Sequence, residues 1–120
     1  MNRRFNLLLV EDEVGIRDAF ALLLELEGFH VQTAVDGLDA IDLMARAPVD
    51  LVVTDLMMPR LDGMELARRI QAGPGTPPIV MITAASESAA EARDLVDAVL
   101  VKPFDANTLL DTIHRLLARD

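Results

Sequence analysis

The residues of this chain able to do chemistry stand where short apolar runs stop. Glu11-Asp12 follows Leu7–Val10, Thr54-Asp55 follows Leu51–Val53, Thr83 follows Ile79–Ile82, and Lys102 follows Ala98–Val101. If the runs are parallel strands of one sheet, their ends share a rim, and residues far apart in sequence converge there. Glu11, Asp12 and Asp55 would then crowd three carboxylates together, raising one another's pKa values or destabilising the site. A hard cation relieves that repulsion. Mg²⁺, or Mn²⁺ in its place, suits such a set, because it is held by one or two carboxylates and completed by waters and phosphate oxygens. With Thr83 and Lys102 alongside, the chemistry that fits is phosphoryl transfer, in which the protein positions the group and neutralises its oxygens.

Lys102 carries weight of its own. It is the single lysine, against ten arginines. A compact ammonium on a flexible stem can pair with a carboxylate and then follow a phosphoryl oxygen as a point charge. Pro103-Phe104 after it and the apolar run before it fix its direction. Taken singly, Asp12 or Asp55 would read as a turn or cap, and Thr83 as a β-branched strand residue. The convergence is what lifts them above those readings.

The elements that must bring them together are legible in the periodicity. The four runs are too short for helices and lack alternation, as in strands buried on both faces. His30–Ala34 alternates polar with apolar and predicts a second strand at a sheet edge. Between the runs, Ile16, Ala19, Phe20, Leu23 and Leu24 predict an apolar helical stripe ending before Gly28. Leu38, Ile41, Leu43 and Met44 predict a helix between Asp36-Gly37 and Pro48, and Asp62 caps another running through Arg69. Ser86 or Ser88 starts a fourth helix, and Asp105 caps the last, with Leu109, Leu110, Ile113, Leu116 and Leu117 on its buried face. Five βα units predict a flavodoxin-like (βα)5 three-layer sandwich, one parallel sheet in the order 2-1-3-4-5, as a single domain over 1–120.

Composition narrows the function classes. A net charge of −9 argues against direct nucleic-acid binding, which needs a basic patch. Glu25, Glu27, Asp36, Asp39, Asp42, Glu91 and Asp94 read as solvated acids on helix faces or turns. No apolar run approaches the roughly 18 residues needed to span a bilayer, and the apolar stretch after Arg3-Arg4 is too short for a signal peptide. There is no cysteine, which permits a cytoplasmic location and removes thiolate metal sites. His30 and His114 read as surface residues. The Met57-Met58-Pro59 run reads as a packed loop, and Gly63 as a residue required by backbone geometry.

Four segments, Leu7–Glu13, Asp55–Gly63, Met81–Ala84 and Val101–Phe104, resemble in order and spacing the receiver domains of bacterial two-component response regulators. The resemblance covers essentially the whole chain. It implies that Asp55 is the phosphoacceptor, that Asp12, with Glu11 and Asp55, holds Mg²⁺, and that the backbone carbonyl of Met57 is a further metal ligand. It also implies that Thr83 bonds a phosphoryl oxygen, that Lys102 pairs with Asp55 and then with the phosphate, and that Lys102-Pro103 is cis. The implied partners are a sensor histidine kinase or phosphotransfer protein and a downstream effector. A homodimer could form through the face made by the fourth helix, fifth strand and fifth helix.

The sequence departs from the family in two places. Val99 stands where receivers usually carry an aromatic residue, and Leu95-Val96 replaces the usual glycine-alanine pair. Val99 is expected to pack under the fourth helix, with signalling carried by loop and helix shifts. A phosphohydrolase would need a general acid near its nucleophile, commonly an aspartate two residues on, and position 57 is methionine. The chain is therefore expected to assist its own phosphorylation and dephosphorylation without turning over an external substrate. The alternative is a phosphorylation-independent interaction scaffold of the same fold. As no effector sequence follows Asp120, the expectation is either a stand-alone regulator or a receiver cut from a longer chain.

Overall fold

The computed structural model describes residues 4–73 and 75–118. Its elements alternate without exception. They are β1 (Asn6–Val10), α1 (Val14–Leu26), β2 (His30–Ala34), α2 (Gly37–Arg46) and β3 (Leu51–Asp55), then α3 (Gly63–Ala72), β4 (Ile79–Thr83), α4 (Ser86–Arg93), β5 (Ala98–Val101) and α5 (Ala106–Leu117). The strands form one parallel sheet in the order β2-β1-β3-β4-β5. The flavodoxin-like reading of the sequence is the fold observed.

Strand alternation divides the core into two halves. Leu8, Val10, Val52, Ile79 and Met81 face α2, α3 and α4, where Ala40, Leu66, Ile70 and Ala92 meet them. Leu7, Leu9, Leu51, Val53, Val80 and Ile82 face α1 and α5, packing on Leu24, Leu109 and Ile113. β1, β3 and β4 are buried on both sides, which is why their sequences do not alternate. The edge strand β2 does, with only Ala34 fully buried.

Helix starts are set by carboxylates. Glu13, Asp36, Asp62 and Asp105 each accept backbone N–H bonds of the first turn of α1, α2, α3 and α5. The fourth helix begins at Ser86, one of the two expected starts, and its N-cap position is Ala85, which makes no side-chain bond to the free amides. The stripe read along α1 is also narrower than expected, for Ile16 and Ala19 are exposed and only Leu24 is fully buried. The helix packs mostly against the edge strand β2. Leu38, in the first turn of α2, is likewise exposed. His30 and His114 are exposed as read, the His114 ring lying 5.5 Å from that of Phe29. No helix among the described residues is long and apolar enough to cross a membrane.

Candidate functional site

The register of the sheet assembles the rim. Val10 lies opposite Thr54, Asp55 opposite Ile82, and Thr83 opposite Val101. Asp55 continues the alternation of Leu51 and Val53 toward the α1 and α5 side, and Lys102 continues that of Ala98 and Leu100 to the same side. Thr83 follows Ile79 and Met81 toward the other side. The consequence is a carboxylate and an ammonium facing one another: Lys102 Nζ lies 3.9 Å from Asp55 Oδ2. Glu11, Asp12 and Asp55 each offer a carboxylate oxygen within 4.8 Å of the other two.

The electrostatics of that group are unfavourable as it stands. Burial pushes the Glu11 carboxyl up to about 7 from its usual 4.5, and the nearby Asp55 charge adds to the rise. Lys102 and the Glu13 N–H, which donates to Glu11 Oε2 at 3.1 Å, only partly offset it. Asp55 is also raised by burial, against the opposing pull of Lys102 and of the Leu56 and Met57 amides. Two carboxyls held above their normal range beside a third describe a site short of positive charge. A hard divalent cation with oxygen ligands fits that deficit.

A consequence for stability follows with a definite sign. Between about pH 4.5 and 7 the folded chain holds a proton on Glu11 that the unfolded chain has released, so stability falls as pH rises through that window. Glu13, Asp36 and Asp105 are lowered by hydrogen bonds or by Arg60, and their contribution is lost only below the ordinary carboxylate range. Urea midpoints measured without divalent ions are expected to decline from pH 5 to pH 7, and Glu11→Gln is expected to flatten that slope. An equal slope in the variant would contradict the assignment to Glu11.

The loops around the site are pinned to it. Arg17 reaches back from α1 to donate to the Glu11 carbonyl at 2.9 Å and toward the Asp12 carbonyl at 3.5 Å. Sequence reasoning did not single out Arg17, since an arginine on a helix carries no mark of a contact to a preceding turn. Thr83 Oγ1 accepts the Ala85 N–H at 3.1 Å. Gly63 N–H donates to the Leu56 carbonyl at 2.9 Å, and Lys102-Pro103 is cis. Two readings need correction. Met57 does not belong to a packed loop: its side chain is 73% exposed, because α3 leaves the sheet end and only Met58 turns back onto the core. Asp36 is not a solvated acid but 4% exposed, joined to Arg60 across 24 positions of sequence.

Known proteins resemble this chain in sequence and in fold. The family described as the response regulator receiver domain matches residues 7–114. The response regulator MprA of Mycobacterium sp. strain KMS is 38% identical over 116 residues, covering 94% of this chain and 50% of that protein. The chain thus spans about half the length of the curated relatives it matches. Among solved structures, the chemotaxis response regulator CheY4 of Vibrio cholerae superposes with a TM-score of 0.86 at 31% identity, covering 95% of this chain and 99% of that one. The Thermotoga maritima response regulator TrrA, solved in complex with Mg²⁺ and BeF, gives 0.87 at 29% identity, covering 93% and 98%.

Proposed function

This chain belongs to the response regulator receiver domain family, and on that premise we propose that Asp55 accepts a phosphoryl group in a Mg²⁺-dependent reaction, switching the face it offers to partners. The observation that carries the reading is the acidic trio with an ammonium 3.9 Å from Asp55. A carboxylate oxygen of Asp55 forms the new O–P bond while the P–N bond of a donor phosphohistidine breaks, its electron pair leaving with the imidazole. Lys102 is near enough to Asp55 to exchange the carboxylate for a phosphoryl oxygen, and Thr83, buried at the neighbouring strand end with its Oγ1 accepting the Ala85 N–H, would turn its hydroxyl to bond another. Glu11, Asp12, Asp55 and the Met57 carbonyl would hold the cation. When bound, the cation neutralises the carboxylates and the charge on the phosphoryl oxygens.

The donor is then a sensor histidine kinase or phosphotransfer protein, the recipient of the signal an effector domain or protein, and the setting the cytoplasm. The single receiver unit extends over 1–120. No external substrate is turned over, because Met57 supplies no acid where a phosphohydrolase would place one. Downstream of Thr83, Val99 is half-buried and packs with Leu95 and Val96 against the cluster containing Ala92 and Met81. With no aromatic ring to rotate, the switch passes through that packing toward the surface of α4, β5 and α5, which also serves a homodimer. The acidic charge of −9 argues against direct nucleic-acid contact by this chain.

Intact-mass measurement after treatment with a small acyl phosphate tests this. One phosphoryl group per chain is expected in Mg²⁺ and none in EDTA, with the label on the peptide carrying Asp55. Equal labelling in EDTA, or a label elsewhere, would remove the basis for the reading.

A further inference from the structure

The loop after Asp55 is held in an unfavourable shape by another part of the fold. Arg60 has φ +66°, and the Leu61 N–H donates across it to the Pro59 carbonyl at 2.8 Å. A bond from one residue back to the residue two before it, around a positive-φ centre, is the rare and strained hand of γ-turn. A non-glycine residue stays in such a state only where its surroundings over-determine it.

Those surroundings are the turn between β2 and α2. Asp36 Oδ2 receives both Nε and Nη2 of Arg60, each at 2.7 Å, while Oδ1 accepts the Asp39 N–H at 2.9 Å as the N-cap of α2. One residue on, the Gly37 N–H donates to the Leu61 carbonyl at 3.2 Å. A Cβ on Gly37 would lie 2.7 Å from that oxygen and 2.8 Å from Leu61 Cβ, so the approach requires glycine. An ion pair, a backbone bond and a contact open only to glycine therefore lock the two turns together. The far side of the loop is tied by Gly63 N–H to the Leu56 carbonyl. Between these ties in the chain lie Met57 and Met58.

We propose that Asp36 and Arg60 are positioning residues for the metal site, their ion pair keeping the γ-turn wound so that the Met57 carbonyl is held toward the carboxylates. This rests on the reading of Glu11, Asp12 and Asp55 as a Mg²⁺ site. The pair reaches no reacting atom. It acts on affinity by limiting the directions the carbonyl can take, as groups behind metal ligands do, where substitution costs about 10–100-fold in binding.

Amide-resolved NMR titration with Mg²⁺ alone reads this directly, since the chain has no tryptophan or tyrosine to report binding by fluorescence. Arg60→Ala and Asp36→Asn, the latter still able to cap α2, are each expected to weaken Mg²⁺ binding about tenfold. The double variant should be no weaker than either single one, and Arg60→Lys should recover part of the loss. Wild-type affinity in Arg60→Ala, or losses that add in the double variant, would overturn the proposal while leaving the metal site intact. Leu56–Met58 amides that do not respond to Mg²⁺ in the wild-type chain, or that respond just as strongly when Asp12 is replaced by asparagine, would overturn the reading of the site and this inference with it.

Discussion

Asp55→Ala is expected to take up no phosphoryl group from a small donor in Mg²⁺, at concentrations that label the wild type to completion. No neighbouring carboxylate can stand in. Glu11 lies at the end of β1 with one oxygen committed to the Glu13 N–H, and Asp12 is on the exposed side of the trio. Nucleophile loss of this kind removes the covalent route altogether. The companion expectation concerns stability and has the opposite sense. Asp55 is raised because burial and Asp12 together outweigh Lys102 and the Leu56 and Met57 amides. Asp55→Asn, which keeps the shape and discards the charge, should therefore melt above the wild type near neutral pH without divalent ions, and the gap should narrow when Mg²⁺ is added. It should also lower the Glu11 pKa, since Asp55 contributes to its rise. A loss of stability in Asp55→Asn would mean that the carboxylate is already compensated in the folded chain.

Gly63→Ala is expected to cost about 3 kcal/mol or more of folding stability, at the upper end of what overpacking does. The added Cβ would lie 2.4 Å from the Asp55 carbonyl oxygen and 2.9 Å from Leu56 Cα. Both are backbone atoms at the end of a central strand, and neither can rotate away as a side-chain tip could. Relief must come from moving α3 off the end of β3, which breaks the Gly63 N–H bond to the Leu56 carbonyl and disturbs the residue carrying the proposed phosphoacceptor. Gly73→Ala is the control. At that position a Cβ would meet only the Ile70 and Arg69 carbonyls at 3.5 and 3.9 Å, ordinary contact distances, so its urea midpoint should stay close to the wild type. Similar midpoints for the two variants would show that the β3–α3 junction is looser than its distances indicate.

The parts that could be read in advance share a property: each rests on local pattern or on a rule that holds for all parallel sheets. Uninterrupted apolar runs mark strands, doubly covered in β1, β3 and β4 but only half-buried in β5 at the sheet edge, and βα alternation fixes their direction. Direction then sends Glu11, Asp55, Thr83 and Lys102 to one rim whatever the details of packing. The misreadings occurred where burial depends on a partner distant in sequence. Asp36 looked like one more turn acid, and only the approach of Arg60 makes it a buried one. Met57 looked packed because its neighbours are apolar, but whether a methionine meets the core depends on where α3 departs. The exposed Ile16 and Leu38 belong to the same class, since an apolar stripe indicates a face and cannot say how far the sheet extends beneath it.

By itself, then, the sequence determined the βα order and the identity of the residues gathered at the strand ends, because periodicity and strand direction are consequences of the covalent chain, while the family was legible in the resemblance of four motifs. Tertiary structure alone decided the electrostatic state of those residues and the shape of the loops around them. A pKa near 7 for Glu11 depends on how deeply it is buried and how near Asp55 comes, and the strained turn at Arg60 depends on a carboxylate supplied from the other side of α2's first turn. Burial and Coulomb energy vary with distance in space, and residues 24 apart in the chain acquire such a distance only when the chain has folded.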